Sequence, residues 1–134
     1  MTPELPAGAG VIGVGFDLVD VDRFRTSLER TPSMVERMFT AGERSYALEA
    51  RDPTQRFAVR FAAKEAVMKA MGVGLGAFGF HDAEVLRDDG GCPSLAIRGP
   101  ALRLADERGI AGWRISLTHT DRTAGAVVVA LGPT

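Results

Sequence analysis

The sequence predicts an α+β fold in which an antiparallel sheet packs against one long helix. Three observations carry this expectation: a β-rich opening segment, "GVIGVGFDLV" (10–19), two strand–turn–strand signatures in the second half, and a helical pattern running from Thr54 to Met71. A chain of 134 residues fits one domain, 1–134, in which the Pro/Gly-rich start 1–9 reads as a loose extension.

The elements follow in order. After the first strand, "DVDRFRTSLER" (20–30) repeats Val21, Phe24 and Leu28 at helical spacing. Within "TAGERSYALEAR", Thr40 and Glu43 have capping-box spacing, so a second helix starts there and stops by Asp52-Pro53. The long helix then runs to Met71 and ends in a loop punctuated by Gly72, Gly74, Gly76 and Gly79. "FHDAEVLRD", "DGG" and "CPSLAIRG" read as a hairpin. "PALRLADERG" is a short helix opened by Pro100 and closed by Gly109, and "WRISLTH" and "TAGAVVVAL" form a second hairpin around "TDRT".

Composition excludes several classes. With 46% apolar and 25% charged residues and a net charge of −1, the chain reads as soluble and globular, without the basic excess of a general nucleic-acid binder. An acidic partner therefore needs a local basic patch. No apolar run approaches the ~20 residues of a membrane span, and the start lacks the basic region of a signal peptide, so a cytoplasmic protein is expected. Cys92 stands alone beside Pro93 and offers neither a disulfide framework nor a metal cluster. Gly74-x-Gly76-x-x-Gly79 follows a helix and leads into a strand, the reverse of a dinucleotide fingerprint.

Polar residues intrude on this apolar pattern at three places. On a wheel of ~100° per residue, Phe57, Phe61, Met68 and Met71 fall within roughly 80°, with Glu65 and Lys69 together on one shoulder and Arg60 on the opposite flank. Lys64 falls inside the stripe, where a charged head needs a partner or an exit to water. Lys64 and Lys69 are the only lysines among sixteen basic residues. Glu65 and Lys69 read either as a surface i,i+4 pair or as a charge set in which lysine supplies a compact charge for a phosphate oxygen. In the first strand Asp17 shares a face with Gly13 and Gly15, opposite Ile12, Val14, Phe16 and Leu18; it is either functional or a helix-capping carboxylate, a role open equally to Asp20. His119 shares a strand face with Trp113, Ile115 and Leu117 and is either a structural or a site residue; His81 carries less signal.

Taken together, "GFDLVDVDRF", "FTAGE", "RFAAKEAVMKA" and "SLTHT" resemble the holo-acyl carrier protein synthase family, the short group of 4′-phosphopantetheinyl transferases, over nearly the whole chain. The resemblance implies transfer of 4′-phosphopantetheine from coenzyme A to a serine of apo-acyl carrier protein, leaving adenosine 3′,5′-bisphosphate, with the carrier's pathway open between fatty acid synthesis, polyketide synthesis or both. It implies Asp17 and Glu65 as ligands of Mg²⁺, with Mn²⁺ as an alternative, and Glu65, Lys69 and His119 as catalytic residues. Arg60, Lys69, Gly72, Thr118 and His119 are then expected on coenzyme A, with Lys69 on its pyrophosphate and Arg60 on the 3′-phosphate of its nucleotide. Lys64, inside the apolar stripe, is not expected to touch substrate. Arg23 and Arg25 are expected to dock the acidic carrier, and the sites to lie between subunits of a homotrimer. Val73 stands where the family often has Thr or Ser, Thr118 where Ser is common, and Phe16 where Ile is usual. The rival reading is a non-catalytic module that binds coenzyme A or a carrier protein.

Overall fold

The computed structural model describes residues 10–133, so the expected extension 1–9 lies outside the described residues. Strand β1 (Val11–Asp20) leads into α1 (Val21–Arg30), followed by the short α2 (Met34–Met38), α3 (Ala41–Leu48) and the 18-residue α4 (Thr54–Met71). Hairpin β2 (Ala83–Arg87) and β3 (Pro93–Ile97), helix α5 (Gly99–Glu107) and hairpin β4 (Gly112–His119) and β5 (Thr123–Leu131) complete the chain. The main sheet is antiparallel in the order β1-β5-β4, and β2 and β3 pair as a separate antiparallel ribbon. The fold is the expected α+β arrangement. Two details differ from the sequence reading: α2 was not foreseen, and residues Phe80–Asp82 form a 3-10 turn before β2 instead of its first residues.

Local chemistry accounts for the boundaries. Asp20 caps α1 by accepting a bond from the Arg23 amide at 2.9 Å, and both bonds of the Thr40/Glu43 capping box are present at α3. Gly72 ends α4 at φ 71°, a left-handed conformation that favours glycine, while the Val73 amide donates to the Met68 carbonyl at 2.9 Å. Arg108 reaches back from the end of α5 and satisfies the Met71 carbonyl at 2.9 Å.

Helix α4 is the centre of the core. Thirteen of its eighteen residues are buried, which is why the apolar stripe of the wheel understates its burial. On one side it lies on the sheet, against the inward row Ala124, Ala126, Val128 and Ala130 of β5. At β1 the approach is backbone to backbone. A Cβ added at Gly15 would overlap the Ala66 carbonyl, and one at Gly13 the Ala70 carbonyl. With no side chain at Gly13 or Gly15, α4 fills that face of β1.

On its far side α4 buries Lys64 completely, and its ammonium donates to Glu43 Oε1 at 2.8 Å and to the Phe80 and Ala83 carbonyls at 2.8 and 2.6 Å. Glu43 also accepts from the Thr40 and Val85 amides, each at 2.9 Å. This pair ties α3, α4, the 3-10 turn and β2 together, and it answers the demand that the sequence placed on Lys64.

The opposite face of the sheet is uncovered: Val14, Phe16 and Leu18 of β1 are 58%, 52% and 58% exposed. No helix among the described residues is long and apolar enough to cross a membrane.

Two substitutions test this core. Lys64→Ala leaves a buried carboxylate without its cation and is expected to destabilise by about 3–5 kcal/mol, read as a drop in the urea midpoint. Gly15→Ala forces β1 off α4 and is expected to cost about 3 kcal/mol; an unchanged midpoint would contradict the close packing.

Candidate active site

Helix α4 carries charged side chains on two sides. Toward β1, the Lys69 ammonium donates to Asp17 Oδ1 at 2.8 Å and to the Phe16 carbonyl at 3.0 Å. Glu65 lies one helical turn before Lys69. Its carboxyl is pushed above the usual range by partial burial and by the neighbouring Asp17 charge, with Lys69 pulling the other way. Asp17 and Glu65 line one groove of about 360 Å³ together with Asp20, Arg23, Phe24 and Phe61. Since Asp20 holds the cap of α1, Asp17 is free of that role and belongs to the cluster with Lys69 and Glu65.

Among the described residues no three or more His, Cys, Asp or Glu side chains gather as a cation cage. Asp17 and Glu65 instead offer two carboxylates close enough for one charge to raise the other's pKa. That donor set fits a hard divalent cation that completes its shell with water and phosphate oxygens.

On the other side of α4, a cavity of about 490 Å³ is lined by Tyr46, Arg56, Arg60, Arg87, Thr118 and His119, among others. Arg60 is only 3% exposed; its Nη1 donates to the Arg56 carbonyl at 3.2 Å while its buried Nε has no partner. Burial pulls its guanidinium down to about 10, with Glu43 opposing and Arg56 adding to the depression. The guanidinium carbons of Arg56, Arg60 and Arg87 stand 4.0, 4.4 and 4.4 Å from the Tyr46 ring centroid.

The expected residues therefore fall into two groups. Asp17, Glu65, Lys69 and Arg23 gather at the first groove, and Arg60, Thr118 and His119 line the second cavity. The two cavities share no lining residue. Gly72 lines neither and serves as the stop of α4, and Val73 packs partly buried against the core. Arg25 also lines neither; it pairs with Asp22 at 2.9 Å and with Asp52 at 2.5 Å, so its charge is engaged within the chain.

Sequence reasoning missed Tyr46, Arg56 and Arg87. Arg56 stands one helical turn before Arg60 and could have been read from that spacing. Arg87 comes from the β2–β3 hairpin, and nothing local in the sequence ties it to the helix.

Comparison with known proteins bears on this geometry. The profile of the 4′-phosphopantetheinyl transferase superfamily matches residues 13–128. A holo-[acyl-carrier-protein] synthase of Frankia alni is 50% identical over 120 residues, covering 90% of this chain and 97% of that protein. The crystal structure of the Neisseria meningitidis holo-[acyl-carrier-protein] synthase superposes with a TM-score of 0.82 at 30% identity, over 90% of this chain and 98% of that one. A Bacillus anthracis holo-(acyl-carrier-protein) synthase, solved in complex with CoA (3′,5′-ADP), superposes at 0.76 and 32% identity, over 92% and 98%.

The raised Glu65 carboxyl has a thermal signature. A carboxyl that holds its proton more firmly when folded stabilises the fold below the ordinary Glu pKa, and that contribution is lost as pH rises through the folded value. Glu65→Gln is therefore expected to raise the thermal midpoint of the EDTA-treated protein near pH 7, an advantage that fades below about pH 4.5. An advantage independent of pH would exclude titration of Glu65 as its source.

Proposed function

The chain belongs to the 4′-phosphopantetheinyl transferase superfamily, among the holo-[acyl-carrier-protein] synthases, and we propose that it modifies an apo-acyl carrier protein in a reaction that depends on Mg²⁺. The observation that carries this reading is the Asp17, Glu65 and Lys69 cluster beside an open groove. Phosphoryl transfer depends chiefly on positioning and charge neutralisation, and this cluster supplies both signs of charge at one place.

In the proposed reaction the serine hydroxyl oxygen of the carrier attacks the phosphorus that bears pantetheine. A new P–O bond forms, the pyrophosphate P–O bond breaks, and adenosine 3′,5′-bisphosphate leaves. Asp17 and Glu65 would hold the divalent cation, which supplies charge neutralisation on the phosphate oxygens. Lys69 exchanges its bond to Asp17 for a pyrophosphate oxygen. Glu65, a carboxylate in the same groove, is positioned to accept the serine proton. Arg60, Thr118 and His119 bind the nucleotide end of coenzyme A.

Because the two groups of residues line separate cavities, a complete site is built between copies of the chain. The uncovered apolar face of β1 supports such self-association, and a homotrimer is the proposed assembly. Arg23, exposed at the rim of the carboxylate groove, docks the acidic carrier; Arg25 is already paired and contributes less. Residues 1–134 act as one cytoplasmic domain.

The test is the intact mass of apo-acyl carrier protein after incubation with coenzyme A and Mg²⁺. The carrier is expected to gain the mass of phosphopantetheine, and EDTA to suppress the gain. Asp17→Ala and Glu65→Ala are expected to slow transfer by about 10²–10³-fold while leaving the oligomer folded. Coenzyme A binding without any mass gain would instead favour a binding module.

A further inference from the structure

A lysine four residues after a glutamate on one helix normally pairs with it, but Lys69 turns away from Glu65. Among the described residues its one ion pair crosses to β1, at 2.8 Å from Asp17 Oδ1, and a second bond, at 3.0 Å to the Phe16 carbonyl, clips it to the same strand. An ammonium has three N–H donors, so two hold the strand and one is left over. Its charge nevertheless acts on both carboxylates, because it opposes the upward push that partial burial and Asp17 exert on Glu65. Lys69 therefore does for Asp17 and Glu65 part of what a divalent cation does.

The two partners differ in freedom. The Asp17 side chain is 16% exposed on a strand that is paired with β5 and packed on α4, whereas the Lys69 side chain is 52% exposed on a flexible four-carbon stem. The carboxylate stays in place and the ammonium is the group that can leave. With its cation half in water, the bond is of the weak kind that is readily traded.

We propose that Lys69 is a built-in counter-ion that holds Asp17 until a divalent cation takes its place, and that this displacement is what frees Lys69 for a phosphate oxygen. The inference rests on the reading of Asp17 and Glu65 as the holders of the cation, and it adds an order of assembly: metal, then lysine, then anion. An ammonium and a dication on the same carboxylate repel each other, so the two compete for Asp17. By linkage, the bond between Lys69 and Asp17 lowers metal affinity, and metal binding raises the affinity of Lys69 for an anion.

The probe is Mg²⁺ alone, titrated into the nucleotide-free full-length protein, with two readouts that do not depend on turnover. By calorimetry, Lys69→Met is expected to bind Mg²⁺ about two- to tenfold more tightly than the unmodified protein, and Asp17→Asn at least about tenfold more weakly. Loss of a nearby positive charge would tighten binding even without an exchange, so the second readout decides. The chain has two lysines, and Lys64 is wholly buried with all three donors used. Lysine labelled with ¹³C at the ε position therefore gives two distinguishable NMR signals, assigned by the loss of one in Lys69→Met. Saturating Mg²⁺ should turn the Lys69 signal from ordered to mobile, at the half-saturation seen by calorimetry, and leave Lys64 unchanged. A Lys69 signal that stays ordered, with binding still weakened by Asp17→Asn, overturns the exchange and leaves the metal site standing. Mg²⁺ binding that is absent even in Lys69→Met, or indifferent to Asp17→Asn, removes the metal site and the exchange with it.

Discussion

The contact of β1 with α4 sets the geometry of everything else. Because Gly13 and Gly15 present no side chains, the strand rests on the carbonyls of Ala70 and Ala66. This fixes the rotation of the helix about its own axis. Lys69 and Glu65 each immediately precede one of those alanines, so they fall about 100° around the helix, at the flank of the contact. Asp17 is the next inward-facing residue of the same strand and arrives beside them. The chemistry of the first groove is a consequence of how closely two backbones approach.

The same rotation sends Lys64 away from the sheet, where Glu43 and two carbonyls consume all three of its donors. Arg60 lies one turn earlier on that side and is just as hidden from water, yet it is left with an unpartnered nitrogen. Buried polar groups are normally satisfied, and an exception asks for an explanation. The two cations separate by role on this ground. The fully bonded one locks elements together, and the incompletely bonded one lines a cavity.

Most of this was legible in the residues. The capping box at Thr40 and Glu43, the stop at Gly72 and the two hairpins depend on short-range spacing, and local spacing is what a sequence displays directly. The demand of Lys64 for a partner was legible, but Glu43 as that partner was not, because 21 positions separate them and only the fold closes the gap. Asp17 and Asp20 were indistinguishable as caps until the Arg23 amide chose Asp20. The cavity around Tyr46 was hidden for the same reason, since its arginines come from a helix and a hairpin with no common periodicity. Short α2 escaped notice because five residues hold too little periodicity to mark a helix.

Strand alternation links the uncovered sheet face to the site. Along β1, Phe16 and Leu18 point outward on either side of inward-facing Asp17, and successive residues are only ~3.3 Å apart. A second copy that covers Phe16 and Leu18 therefore comes to the edge of the carboxylate groove. With the cationic cavity on the other side of α4, a protomer that buries its apolar strand against a neighbour can set its own Asp17, Glu65 and Lys69 against that neighbour's cavity. On the proposed reading, the hydrophobic energy of association and the completion of the site are one event.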